Sequence, residues 1–280
     1  MTTFNKHMQS ALTLDEIRAL APSAFAVEKH SSRSERYAYI PTSAVIEAML
    51  EEGFAPFMAT QSRSRIEGKS EFTKHMLRFR HPDSATNGTI SEVVLVNSHD
   101  GTSAYKLFAG IFRTVCANGM IVADKLTGSI SVPHTGNVVD RVLEGSFKIV
   151  RESRKSIETT HAWEALQLTS GEQAAYAEAA HTLRFADAEG TIDTPITAAM
   201  LLKPRRREDV GSDLWHTMNR VQENVIKGGL TARAAAKPGE YRGRQVTTRQ
   251  VKGIDQDVRL NRAMWQLAER MAELKSGNAA

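Results

Sequence analysis

A chain of 280 residues and 30.9 kDa has enough length to bury a core, as one large domain or two small ones. With 41% hydrophobic and 24% charged residues, it is neither wholly disordered nor a collagen-like or coiled-coil rod, and a single cysteine, Cys116, excludes an internal disulfide and a cysteine-rich zinc site. The net charge of +4 hides an asymmetry: residues 201–280 carry 16 Lys and Arg against 9 Asp and Glu, a balance of +7, which leaves −3 for the first 200.

The opening MTTFNKHMQSALTL lacks the apolar core of a secretion signal, and no stretch of about 18 apolar residues offers a membrane span. A reduced cytoplasmic setting without membrane partners is the expectation. Thr13 with Asp15 and Glu16 predicts a short capped helix over 13–20, followed by an extended piece over 36–40. Pro41 and Thr42 lead into a second helix that Ser43 caps, with Ile46, Met49 and Leu50 on its apolar face and Gly53 at its end.

From 54 to 122 the period shortens to about two, which predicts antiparallel strands near 54–64, 70–80, 91–97 and 103–115. His99-Asp100-Gly101-Thr102 supplies an Asp-Gly turn that pairs the last two as a hairpin, and Asn118-Gly119 turns the chain out of the sheet. The second half reads as helical: a long periodic stretch from Val138 through Leu166, an alanine-rich helix over 171–185, a helix over 213–227, and a last one carrying Leu260, Met264, Leu267, Met271 and Leu274. Residues 231–252, rich in Arg, Ala, Pro and Gly, read as an exposed loop. The expected fold is therefore α+β: an antiparallel meander of four or five strands packed with helices over 1–200, and a basic helical region over 201–280 packed on or beside it.

Alternation along the strand at 70–80 places Lys74, Arg78 and Arg80 on one face and His75, Leu77 and Phe79 on the other. Arg63 and Arg65 in the preceding strand and Lys69 in the turn would join them, making a cationic hairpin that suits phosphate. Lys106, Phe108 and Phe112 alternate along the later strand, with Gly110 leaving room for a flat group between the two rings; the rings are candidates for base stacking, and sheet core is their competing reading. Lys203, Arg205, Arg206 and Arg207, with Arg242, Arg244, Arg249 and Lys252, form further cationic clusters suited to bidentate phosphate contact. The polar helix face Asn219, Arg220, Gln222, Glu223 and Asn224 suits base or partner contact, or plain solvation. His75 and His81 are placed to approach across a loop, and Cys116 reads as a buried thiol. No phosphate loop, nucleophile elbow, zinc helix or dinucleotide fingerprint occurs, so no cofactor and no catalytic residue are assigned.

Several blocks resemble a family of phage- and plasmid-borne bacterial proteins of unknown function: Tyr39-Ile40-Pro41-Thr42, Lys74-His75-Met76-Leu77-Arg78-Phe79, Asn97-Ser98-His99-Asp100-Gly101-Thr102, the run from Phe112 to Gly119, and the run from Asn219 to Gly229. That resemblance implies a bacterial mobile-element protein and carries no activity. The order of helix, meander and helices is similar to the core of single-strand annealing recombinases, an architectural likeness without motif residues. Together these lead to the expectation of a nucleic-acid-binding protein, annealing or otherwise holding single-stranded DNA on a basic sheet face, with homo-oligomerisation left open. The alternatives are a protein-interaction factor that counters host defence or regulates the element, and a metal-dependent nuclease built on Glu92, His99 and Asp100.

Overall fold

A computed structural model describes residues 10–28, 41–66, 68–82, 85–86, 89–113, 118–122, 129–133, 137–236 and 241–277. Cys116 and the extended piece expected over 36–40 lie outside the described residues. The chain divides into two compact units, Met1–Ile157 and Glu158–Ala280; the basic region 201–280 thus folds within the second unit, together with the helices from 158 to 200.

In the first unit, α1 (Leu14–Leu20) begins at the expected cap. Thr13 accepts from the Glu16 amide while Glu16 reaches back to the Thr13 amide, a reciprocal capping box. Helix α2 (Thr42–Glu51) starts after Pro41 and has no side-chain cap; Ser43 does not serve as one, and Thr42 instead turns into the core.

The sheet is antiparallel and has seven strands: β1 (Ala55–Gln61), β2 (His75–Arg80), β3 (Ala85–Thr86), β4 (Thr89–Asn97), β5 (Tyr105–Arg113), β6 (Asn118–Ile121) and β7 (Ser129–Val132). Its order is β1-β2-β4-β5-β6, with β3 paired to β4 and β7 to β5. The α+β fold and its meander are as expected. Residues 70–72, however, form a 3-10 turn rather than the start of β2, and 118–121 return to the sheet beside β5. The β4–β5 hairpin closes through Gly101 at φ 75°, where Asp100 Oδ1 accepts from the Thr102 amide and hydroxyl and holds the turn.

Register sorts the sheet into two faces. Leu77, Leu95 and Leu107 lie in line on one of them, where α3 (Val138–Ala165) approaches so closely that a Cβ on Gly145 would sit 2.8 Å from Leu107. Arg78, Val94 and Phe108 lie in line on the other. A register shift between Pro56 and Met58 leaves Phe57 as the extra residue of a bulge, a device that re-aims a side chain.

The second unit is built from the end of α3, α4 (Ser170–Phe185), the short α5 (Ala198–Leu201), α6 (Leu214–Lys227), the two-stranded hairpin β8 (Thr231–Arg233) and β9 (Gln245–Thr247), and α7 (Ile254–Lys275). The three tryptophans mark its core: Trp163 packs against Trp265 at 4.6 Å and faces Trp215 at 6.5 Å between ring centroids, and the Tyr176 hydroxyl donates to the Met264 carbonyl. Within residues 231–252, expected as a loop, Thr231–Arg233 and Gln245–Thr247 pair as β8 and β9. Among the described residues no helix is long and apolar enough to cross a membrane.

Candidate functional site

The expected cationic hairpin does not form a single outward surface. Arg63 and Arg65 are exposed, Lys69 and Lys74 are half-buried, and Lys69 lies 3.5 Å from Asp100. Arg78 and Arg80 are buried at 3% and 7% exposure, because Glu92 on the neighbouring strand β4 pairs with both of them. The Arg80 Nε donates to Glu92 Oε1 at 2.8 Å, and the Arg78 Nε lies 2.8 Å from Oε2. A carboxylate between two guanidiniums offsets their charge, which is how three charges can be held where few unpaired ones are tolerated. The sequence signal for this was Glu92 itself, a charge directly before the apolar run Val93-Val94-Leu95-Val96.

The base-stacking expectation for Phe108 and Phe112 is corrected likewise: they are 4% and 2% exposed. Phe112 packs with Met58 and Ile90 and lies 3.7 Å from the Arg80 guanidinium carbon, which Phe57 approaches from the bulge at 4.0 Å. The flat group for which Gly110 leaves room is a side chain of the protein. Arg78 crosses above Gly110 to donate from Nη2 to the Met120 carbonyl at 2.6 Å, and a Cβ on Gly110 would stand 3.0 Å from that nitrogen and 2.9 Å from Val94. Gly110→Ala is therefore expected to cost about 1–3 kcal/mol by overpacking, seen as a lower urea midpoint at unchanged slope. Lys106 is exposed.

A second buried constellation lies on the opposite face. Thr42, at the start of α2, places its hydroxyl 2.9 Å from His75 Nε2, 3.1 Å from His99 Nε2 and 3.2 Å from the Tyr105 hydroxyl, while Asn97 Nδ2 donates to it at 3.1 Å. Ser23 Oγ lies 3.1 Å from His75 Nδ1, and all six residues are at 0% exposure. A hydroxyl has one proton and two lone pairs; donating to His75 leaves Thr42 accepting from Asn97 and His99. Burial pushes the His75 imidazole down to about 3, His99 beside it pushes the same way, and the Thr73 carbonyl works against them. Closed to solvent, this network locks α2 onto β2, β4 and β5 rather than offering a reacting group. His75 partners His99, with ring centroids 5.4 Å apart, and not His81, which packs on Phe54 and Phe147.

The nuclease arrangement is not assembled. Glu92 serves the two arginines, His99 the Thr42 network and Asp100 its own turn, and among the described residues no group of three His, Cys, Asp or Glu is placed to hold a metal ion.

In the second unit the polar face of α6 is buried. Arg205 donates to Asn224 and to the Gly228 carbonyl, Arg206 pairs with Glu223 at 2.6 Å and Asp209 at 3.0 Å, and Gln222 donates to Asn261. Asn219, Arg220, Gln222, Glu223 and Asn224 thus tie loops and helices together and are not offered to a base. Lys203 and Arg207 are exposed. So are Arg233, Arg242, Arg244 and Arg249 on and beside the β8–β9 hairpin, none of them in an ion pair among the described residues. Between them Tyr241 is 93% exposed, with the Arg242 guanidinium 5.6 Å from its ring centroid. Sequence reading missed Tyr241, although an aromatic followed by Arg-Gly-Arg was the signal.

The family described as Domain of unknown function (DUF932) matches residues 29–265, a span that holds the Glu92 network, the Thr42 network apart from Ser23, and the hairpin. The chain belongs to this family. Two similar proteins come from Escherichia coli (strain K12): UPF0380 protein YafZ is 45% identical over 258 residues, and UPF0380 protein YfjQ 44% over 258 residues. Each alignment covers 92% of this chain and 90% of the relative. No solved structure matches. The Asn219–Gly229 block that carried the family resemblance is explained by α6 packing, and the Lys74–Phe79 and Asn97–Thr102 blocks by the Glu92 and Thr42 networks.

Proposed function

We propose that this DUF932 member is a nucleic-acid-binding protein that takes single-stranded DNA on the β8–β9 hairpin and not on the β2 face. The observation that carries the reading is Tyr241, 93% exposed and set among Arg233, Arg242, Arg244 and Arg249, all of them exposed. Residues 229–252 hold six Lys and Arg against one Glu, a balance of +5. Cations take the phosphates while an open ring gives an unpaired base a surface to stack on, at about 1–3 kcal/mol per base. Double-stranded DNA hides its base faces and has no use for the ring. Lys203 and Arg207, and Arg63 and Arg65 in the first unit, are further exposed cations. The resemblance to mobile-element proteins supplies the setting of the proposal, recombination or maintenance of a phage or plasmid.

Fluorescence anisotropy of a labelled single-stranded oligonucleotide, titrated across a salt series, tests this. Affinity is expected to fall steeply with salt, and the double variant Arg242→Ala/Arg244→Ala to flatten the logarithmic slope by about 1.4, near 0.7 per lost phosphate contact. Tyr241→Ala should weaken single-stranded binding by about tenfold or more and leave double-stranded binding unchanged. No binding at low ionic strength, or an affinity indifferent to the hairpin arginines, ends the reading.

A further inference from the structure

Arg80 has a donor, Nη2, that no group among the described residues fills. Its Nε is used by Glu92 Oε1, and the Phe112 and Phe57 rings lie against its guanidinium carbon at 3.7 and 4.0 Å. Its Nη2 is buried and has no hydrogen-bond acceptor. A buried N–H donor without a partner is uncommon, because desolvation costs it what water would have supplied.

Charge tells the same story. Glu92 answers two arginines with one carboxylate, each of its oxygens 2.8 Å from an arginine Nε. Arg78 also donates to the Met120 carbonyl, whereas among the described residues Arg80 has no second acceptor. Among the described residues the pair of arginines thus carries one positive charge more than Glu92 offsets, and Arg80 is the one with a donor to spare. With Glu92 at the Nε edge and rings against the carbon, the remaining approach is the Nη edge, the fork that takes two oxygens of a carboxylate or phosphate at once. Phe57, Met58 and Ile90, which wall this corner, are half-buried, so a side-chain movement at its rim is enough to bring an anion to the buried Nη2.

We infer that this corner of the sheet is an oxyanion site, in which the Nη edge of Arg80 holds a phosphate or carboxylate group and Phe57, Met58 and Ile90 receive the apolar body attached to it. The site is separate from the β8–β9 hairpin, and the inference stands or falls independently of nucleic-acid binding. The bulge at Phe57 is then part of the site's construction, since it supplies the ring that fixes the plane of the fork.

Equilibrium dialysis of the full chain against inorganic phosphate, at ionic strength held constant with chloride, is the test, with acetate as a parallel arm read by thermal shift. Saturable uptake of one anion per chain in the millimolar range is expected, and the tighter of the two arms identifies the oxyanion as tetrahedral or planar. Arg80→Lys keeps the charge and loses the fork, and should abolish saturation; Arg63→Ala and Arg65→Ala should not change it. Glu92→Gln removes the competing carboxylate at equal volume and should tighten phosphate binding about tenfold or more, a gain that misfolding cannot produce. Failure of the wild-type chain to saturate with either anion overturns the inference, as does phosphate uptake that survives Arg80→Lys or disappears with Arg63→Ala.

Discussion

Glu92→Ala is expected to destabilise the first unit by about 3–5 kcal/mol, the cost of leaving buried charge without its partner. Arg78 and Arg80 would stand side by side at 3% and 7% exposure with no carboxylate between them, and each already pays for its removal from water; burial draws the Arg80 pKa down, Arg78 beside it pushes the same way, and Glu92 pulls against them. Replacing all three by apolar residues of similar volume should cost far less, because no charge is then stranded. Urea unfolding followed by far-ultraviolet circular dichroism makes the comparison. A single Glu92→Ala change worth less than about 1 kcal/mol, the range of an exposed pair, would show that water reaches the triad.

Acid is expected to unlock the other face. In the folded chain His75 stays neutral down to about 3, against an ordinary value of 6.5. The unfolded chain therefore binds a proton that the folded chain refuses, so the contribution of His75 is complete above about 6.5 and is lost progressively as pH falls from there toward 3. One proton over that span amounts to about 4–5 kcal/mol. No conformer that keeps Ser23, Thr42, Asn97, His99 and Tyr105 packed around the ring can accept the charge cheaply. His75→Gln is less stable at neutral pH, since the hydrogen bonds to Thr42 and Ser23 are disturbed, but its stability should fall less steeply between pH 6 and pH 4. Chemical denaturation of both proteins across this range measures the difference in slope. Parallel curves would mean that His75 titrates normally and that the network is open to solvent.

Both predictions concern residues whose type was legible and whose partners were not. Alternation along 74–80 put Arg78 and Arg80 correctly on one face, yet that face is inside, and nothing local could say so. A strand of alternating cations looks the same whether water or a carboxylate on the neighbouring strand receives them. Gly110 reads in the sequence as room for a flat group between two stacking rings; the guanidinium of Arg78, reaching over from β2, takes that room, and only the register β2–β4–β5 brings it there. Thr42 was read as part of a helix start, a role set by sequence neighbours, whereas its hydroxyl is taken by residues 33, 57 and 63 positions away. The hairpin of β8 and β9 escaped notice because strands of three residues carry too few alternations to register as a period.

Local chemistry by itself determined the α+β composition, the capping box at Thr13, the Asp-Gly turn of the β4–β5 hairpin and the long amphipathic helices, since each depends on residues within one or two turns of each other. It also determined the basic balance of the last 80 residues. Tertiary structure alone decided which cations face water. The energy of a charge depends on the dielectric and the countercharge around it, and residues 12 or 14 positions apart in the chain, as Glu92 is from Arg80 and Arg78, supply both.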